Sequence, residues 1–388
     1  MSLLQLPPLS LYVHIPWCVQ KCPYCDFNSH ALKGGIPETE YVSHLLDDLA
    51  ADLEFVQGRP LSTIFFGGGT PSLLSEQAMD RLLKGIEELV PFAEDIEITL
   101  EANPGTLETN KFSGFSKSGV NRISIGVQSF ELEKLKQLGR IHNSEEALKA
   151  AGFAHDAVAT FNLDLMHGLP NQSLEQALAD LKQAIALEPY HLSWYQLTIE
   201  PNTLFYSKPP ELPEDEVLWD IQAQGHELLK SAGYEQYEIS AYSKPEHQCR
   251  HNLNYWQFGD YLGIGCGAHG KITDLNSGTI IRTEKVKHPK GYMDFTKSYR
   301  YKQWQVETDD LPFEYFMNRL RLRAPFSLSE FEQRTGLSRS TVEPAINKAI
   351  ELGLLNQNNT SNQDARSSEL QLTQQGLRYY NNLVDLFL

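Results

Sequence analysis

No stretch of about eighteen apolar residues occurs in the chain, so no membrane-spanning helix is expected. Residues 1–10 lack both positive charge and a signal-like apolar core, and they do not form an Arg-rich transit peptide. A cytoplasmic location is the expectation. Positive charge is scarce: 33 Lys and Arg stand against 50 Asp and Glu, a formal net charge of -17. Such a surface repels phosphate backbones and disfavours broad nucleic-acid binding. It leaves room for a local basic pocket that takes a carboxylate-bearing ligand. Cysteine is scarce as well, with five in 388 residues, and three of them fall within residues 18–25. An odd, clustered set in an expected cytosolic setting points to metal rather than disulfides. No repeat of fixed period is present.

What is there is a regular alternation. Strand-like runs at residues 11–16, 63–67, 95–100, 122–127, 161–166 and 192–199 are separated by amphipathic stretches such as 38–57, 75–90, 144–158 and 174–187. Six strands with helical crossovers predict a parallel sheet. Each strand ends in a polar or glycine-rich turn, and ligand sites of parallel α/β folds sit at those carboxyl ends. Six units are two short of a closed eight-fold barrel, so the predicted fold class is α/β with an open, partial (β/α)6 barrel. The pattern divides the chain into the barrel at residues 1–230, a Tyr-, His- and Gly-rich connecting region at 231–305, and a mostly helical, winged-helix-like module at 306–388. Residues 356–368 read as a polar tip in that module. The module has 8 Lys and Arg against 11 Asp and Glu, so packing or partner docking is expected of it rather than DNA reading.

Cys18-Val-Gln-Lys-Cys22-Pro-Tyr-Cys25 follows the first strand. Thiolates are soft ligands suited to iron–sulfur clusters. A four-iron cubane held by three thiolates keeps one iron open to another ligand. Zinc is the rival reading, with His14 or His30 completing a Cys3His set, although structural zinc favours paired cysteines. Plain thiols are the third. Further along, Gly67-Gly68-Gly69-Thr70-Pro71 ends the second strand, and the absence of Cβ atoms would let a ligand approach the backbone. It lacks the G-K-[ST] ending of a phosphate-binding loop. Glu101, Gln128 and Asp164 lie at or near strand ends, where they can bond hydroxyls or an ammonium; Arg140 can pair with a carboxylate. Each taken singly is equally at home as a surface or capping residue.

The C-x3-C-x2-C loop, Tyr24 just before the last cysteine, and the Gly-Gly-Gly-Thr-Pro turn together resemble the radical S-adenosylmethionine (SAM) superfamily. There the open iron chelates SAM, and an electron from the cluster cleaves its sulfonium. The strings Tyr12-Val-His14-Ile-Pro-Trp17-Cys18, Gly126-Val-Gln128-Ser-Phe130 and Asp164-Leu-Met-His-Gly168-Leu-Pro170, with the carboxyl-terminal module, narrow the resemblance. They are similar to the subgroup that holds oxygen-independent coproporphyrinogen III oxidase (HemN) and its paralogue, the heme chaperone HemW. This resemblance covers nearly the whole chain. It implies a [4Fe–4S] cluster on Cys18, Cys22 and Cys25, and SAM contacts at Tyr12, Tyr24, Gly68, Gly69, Thr70, Glu101, Gln128, Arg140 and Asp164.

Two departures separate the chain from the oxidase. Phe27 stands where that enzyme has a fourth cysteine, and Tyr12 lies close to the first residue, whereas the oxidase carries an extension before the cluster strand. His251-Asn-Leu-Asn-Tyr255-Trp256 resembles the H-N-x-x-Y-W motif of HemW instead. The resemblance therefore implies heme as a further cofactor, with His251 as an axial ligand and Tyr255 and Trp256 as stacking partners. The other reading of His251 is a packed, hydrogen-bonded histidine. Cys249 is a possible thiolate ligand, but a buried structural role suits both it and Cys266 better. The implied partners are heme and heme-accepting proteins, including membrane-associated ones. Catalysis stays open: SAM cleavage is compatible with the motifs, coproporphyrinogen decarboxylation is not expected, and no residue is assigned a catalytic role. Gly265-Cys-Gly267-Ala-His-Gly270 satisfies G-x-G-x-x-G but lacks the early βαβ setting of a dinucleotide site. It is read as a glycine-rich wall near the SAM pocket.

Overall fold

A computed structural model describes residues 3–358 and 369–388, with only the backbone of Thr106 and Leu107. Six strands carry the first half: β1 (Leu9–Ile15), β2 (Leu61–Gly68), β3 (Phe92–Ala102), β4 (Arg122–Gln128), β5 (Thr160–His167) and β6 (His191–Gln196). Each pairs in parallel with the next in chain order. The helices between them begin where the sequence supplies caps. Ser75 Oγ accepts from Ala78 N at the start of Glu76–Leu89, and Asn143 with Glu146 and Ser173 with Gln176 form capping boxes on Ser144–Ala157 and Leu174–Ala186.

The sheet does not stop at six. β7 (Asp260–Gly265) pairs in parallel with β1 on its free edge, and β8 (His269–Asp274), β9 (Thr279–Lys285) and β10 (Arg300–Gln305) continue it as an antiparallel meander. At the opposite edge the short strand Ala241–Ser243 runs antiparallel to β6 and Glu235–Gln236 antiparallel to it in turn, giving twelve strands in one sheet. β7 escapes a strand pattern because two of its six residues are glycines. A Cβ at Gly263 would come within 1.9 Å of His269 O, and one at Gly265 within 2.4 Å of His14 O. Close backbone approach has replaced the side-chain signal.

Buried ion pairs fasten this extension. Asp260 at the start of β7 receives Arg59 Nη1 at 2.7 Å and Lys271 Nζ at 3.0 Å. Lys285 on β9 lies between Asp48 and Asp52, on and just beyond the helix Glu38–Ala51.

The carboxyl-terminal module has its own core, in which Phe316 stacks on Phe387 at 3.8 Å and packs against Phe331. Its main helices are Leu311–Arg319, Leu328–Thr335 and Glu343–Glu351; Phe326–Ser327, Leu355–Asn358 and Glu369–Leu372 form a three-stranded antiparallel sheet. The expected polar tip lies, beyond Asn358, outside the described residues. Among the described residues no helix is long and apolar enough to cross a membrane.

Candidate cofactor site

The carboxyl ends of the parallel strands close around one cavity of about 320 Å³. Its wall takes Gly68 from β2, Glu101 from β3, Gln128 from β4, Asp164 from β5 and Tyr195 from β6, which shows that the sheet curls into a partial barrel. Cys18, Cys22, Tyr24 and Cys25 line the same cavity from the loop after β1, joined by Gly69, Thr70 and Arg140. The three cysteines, three SAM-turn residues and five of the six other expected SAM contacts are thus brought together. Tyr12 is the exception. It sits deeper in the barrel, its hydroxyl 3.0 Å from His14 Nδ1.

The cysteine loop is built to present sulfur. It is anchored by backbone bonds from Thr70 N to Trp17 O at 2.8 Å, His30 N to Pro16 O at 2.7 Å and Leu32 N to Cys18 O at 2.9 Å. All three thiols are partly exposed. Each faces a polar neighbour: the Thr70 hydroxyl donates to Cys18 Sγ at 3.6 Å, Arg140 Nη1 donates to Cys22 Sγ at 3.8 Å, and Ser29 Oγ lies 3.7 Å from Cys25 Sγ. Burial pushes the Cys18 and Cys25 thiols up, and the Thr70 and Ser29 hydroxyls work against that rise. Hydrogen bonds to the sulfurs are one of the levers that set the potential of an iron–sulfur cluster. Among the described residues no group of three His, Cys, Asp or Glu side chains converges tightly enough for a single metal ion. A zinc site needs that convergence, whereas a cubane spreads its thiolates over separate irons.

The opposite wall is acidic. Burial and the charge of Asp164 push Glu101 up to about 8, and burial raises Asp164 as well. Asp164 accepts from Ser124 Oγ and Asn162 Nδ2, both at 2.8 Å, and from Tyr195 OH at 3.2 Å. Arg140 is held by Asn103 Oδ1 and Gly126 O, both at 2.6 Å, and Asn103 Nδ2 donates to Thr70 Oγ1 at 3.1 Å. Gln128 adopts a left-handed φ of 67° at a register shift in β4, a conformation held by its surroundings. Asn103 also lines the cavity, and Ser124, Met166 and Tyr195, which line it too, were missed from the sequence. Strand parity was the signal for the first and last: Ser124 lies two residues before Gly126, and Tyr195 shares a strand face with buried polar His191 and Ser193.

The glycine turn serves the protein before any ligand. A Cβ on Gly68, whose φ is +108°, would meet the His14 ring at 2.4 Å; one on Gly69 would meet Trp17 O at 2.5 Å.

Three expected features lie outside this cavity. First, the expected glycine wall does not line the cavity. Gly267 instead makes room for Asn28, whose Nδ2 donates to Cys266 O and Lys287 O, both at 2.9 Å, behind the cysteine loop. Second, His251 does not line the cavity. It is fully buried at the barrel floor, with Nδ1 at 2.8 Å from Thr63 Oγ1 and Nε2 at 2.9 Å from Tyr255 OH. Burial, with Arg122 nearby, lowers it to about 3. Third, Tyr255 and Trp256 present no stacking platform to the cavity. The helix Arg250–Trp256 that carries them plugs the amino end of the barrel, Tyr255 packs edge-on to His251 and Tyr261, and Arg321 covers the Trp256 ring at 4.3 Å. Cys249 and Cys266 are buried as expected, the latter donating to Lys287 O at 2.7 Å.

Residues 12–184 match the family model described as Radical SAM superfamily, and residues 306–379 match the HemN C-terminal domain. The chain is 58% identical over 387 residues to heme chaperone HemW of Escherichia coli (strain K12), covering 100% of each. It is 56% identical over 389 residues to heme chaperone HemW of Haemophilus influenzae, covering 99% of each, and 33% identical over 393 residues to that of Bacillus subtilis (strain 168), covering 98% of this chain and 99% of the relative. Among solved structures, coproporphyrinogen III oxidase (HemN) from Escherichia coli superposes with a TM-score of 0.81 at 24% identity, over 98% of this chain and 90% of that one, a likeness of fold. The chain belongs to the HemW heme chaperone family of the radical SAM superfamily.

Proposed function

We propose that this protein binds heme and passes it to acceptor proteins, on a scaffold that holds a [4Fe–4S] cluster on Cys18, Cys22 and Cys25 and SAM in the adjoining cavity. The observation that carries this reading is one cavity uniting three thiols with two strand-end carboxylates, in a chain that matches heme chaperones from end to end. When bound, the cluster supplies an open iron that chelates SAM and an electron able to cleave its sulfonium. The protein's own part is positional. Glu101 and Asp164 would hold an ammonium and Arg140 a carboxylate, and the Gly68–Thr70 turn brings backbone to the cavity edge. The acceptors and a cytoplasmic site of action belong to the same proposal.

Decarboxylation of coproporphyrinogen III is not assigned. Phe27, 61% exposed at the cavity wall, occupies the position of the oxidase's fourth cysteine. The test is hemin titration of anaerobically reconstituted protein, run beside a decarboxylation assay with SAM and reductant. Saturable heme uptake without carbon dioxide release is expected. Turnover of coproporphyrinogen III with release of carbon dioxide overturns the reading in favour of the oxidase. Tight zinc with no iron after reconstitution overturns the cluster.

A further inference from the structure

Two of the donors that face the cysteine sulfurs are not independent of each other. Thr70 Oγ1 donates to Cys18 Sγ, and Arg140 Nη1 donates to Cys22 Sγ. Asn103 stands between them: its Nδ2 donates to Thr70 Oγ1 at 3.1 Å, and its Oδ1 accepts from Arg140 Nη2 at 2.6 Å. Among the described residues Asn103 bonds both donors and no sulfur. Its backbone is fixed as well, with Asn103 N donating to Glu108 Oε2 at 3.0 Å. Arg140 Nη2 is anchored a second time on Gly126 O at 2.6 Å.

The direction of this chain of bonds follows from its chemistry. A guanidinium has donors only, so the amide oxygen must face Arg140 and the amide N–H must face Thr70. A hydroxyl has one proton and two lone pairs. With a lone pair taken by Asn103, the Thr70 proton is left for Cys18. Asn103, Thr70, Cys22 and Arg140 line the cofactor cavity on one side and a pocket of about 40 Å³ on the other. The relay is thus a partition between the two, with room for water on its outer side.

We propose that Asn103 is a positioning residue for the cluster: it aims the Thr70 hydroxyl at Cys18 and the Arg140 guanidinium at Cys22, and so raises the cluster's reduction potential. The inference rests on the reading of Cys18, Cys22 and Cys25 as cluster ligands and deepens it. A reduced cluster carries one more negative charge than an oxidised one, and donors to its sulfurs favour that charge. One amide orients both donors, so a change at Asn103 reaches two sulfurs at once.

Redox titration of the reconstituted full-length protein without SAM, followed by electron paramagnetic resonance of the reduced cluster, tests this. Asn103→Asp keeps the side chain's shape but turns its N–H into an acceptor, which draws the Thr70 proton away from Cys18. The midpoint potential should fall. Truncation to Ala is the weaker probe, because a water from the outer pocket can accept from Arg140 and donate to Thr70 in place of the amide. Thr70→Val, which removes the hydroxyl, should lower the midpoint too. The decisive comparison is the double variant. The charge that Asn103→Asp adds is present with or without the hydroxyl, so in the Thr70→Val background the further fall should be smaller than in the wild-type background. Equal falls in the two backgrounds, or a wild-type midpoint in Asn103→Asp, would overturn the relay while leaving the cluster in place. If Asn103→Asp takes up no iron, Asn103→Leu replaces it in the same comparison. No cluster in the wild-type protein would overturn the cluster reading itself.

Discussion

The two ends of the barrel carry the two motifs that stand out in the sequence, and they treat polar side chains in opposite ways. At the mouth, three thiols, two carboxylates and a guanidinium turn towards a shared cavity, and each thiol keeps some exposure. At the floor, His251 is enclosed by Thr63, Tyr255 and the Phe65 ring, which lies 5.1 Å away. Neighbouring polar groups are equally saturated: His191 bonds Asn162 and Tyr237, and Asn254 bonds Ser10 and the Asp260 carbonyl. A motif at the mouth leaves valence for a ligand. The motif at the floor uses its hydrogen-bonding capacity on the protein, and so closes the barrel. The lesson is that a short motif conveys identity and spacing, whereas its role depends on whether neighbours have already satisfied its donors and acceptors.

The largest expected contrast is between cysteines. Replacing Cys18, Cys22 or Cys25 with Ala should abolish the cluster, taking reconstituted iron from about four atoms per chain to background. Cys249→Ala and Cys266→Ala should retain it. Iron and sulfide analysis decides, and a cluster surviving loss of any of the first three would erase the distinction.

Next comes the floor. His251→Ala should destabilise the protein by roughly 2–4 kcal/mol through a cavity and a stranded Tyr255 hydroxyl, with the heme spectrum unchanged. Chemical denaturation measures the first and hemin titration the second; a stable variant with an altered heme spectrum would restore the ligand role. Acid stability extends the test. His251 sits near 3 in the folded state against 6.5 ordinarily, with burial as the main cause. The unfolded chain therefore takes up the proton first, and stability is lost as pH falls from 6.5 towards about 3. The variant should show a shallower acid limb; limbs of equal slope would mean that His251 is not sealed.

A smaller effect is expected at the mouth. With Glu101 near 8, its carboxyl is largely protonated at pH 7, and an ammonium-bearing ligand must displace that proton. SAM affinity should therefore rise by up to about tenfold per pH unit below 8 and level off above it. Glu101→Gln should bind more weakly and lose most of this slope. Equilibrium binding across the range measures both, and a flat wild-type profile would place the ammonium elsewhere.

The smallest effect is expected at Phe27. Phe27→Cys should change stability by less than about 0.5 kcal/mol, as exposed positions do, keep the iron content and produce no decarboxylation. Activity in that variant would make one cysteine the whole difference between the two branches of the family.

The elements that were legible beforehand are those whose cause is local. The helices Glu76–Leu89, Ser144–Ala157 and Leu174–Ala186 carry their own caps, and the strands β1–β6 their own hydrophobic runs. The cysteine loop was legible because its ligands sit within eight residues and need no distant partner to be recognised. β7 was not, since glycines required by neighbouring backbone removed the side chains that mark a strand. Ser124 and Tyr195 were passed over because polar parity inside a barrel resembles ordinary surface alternation until the sheet curls.

Sequence alone determined the βα order, the chain's family and the three thiols at the mouth, all encoded by contiguous residues. The tertiary structure decided the rest through contacts between distant segments. Thr63 meets His251 across 188 positions, Asn28 reaches Cys266 across 238, and the Asp260 carboxylate draws in Arg59 across 201. Chain closure of that length decides which polar groups are satisfied and which stay open to a ligand, and residue spacing carries no record of it.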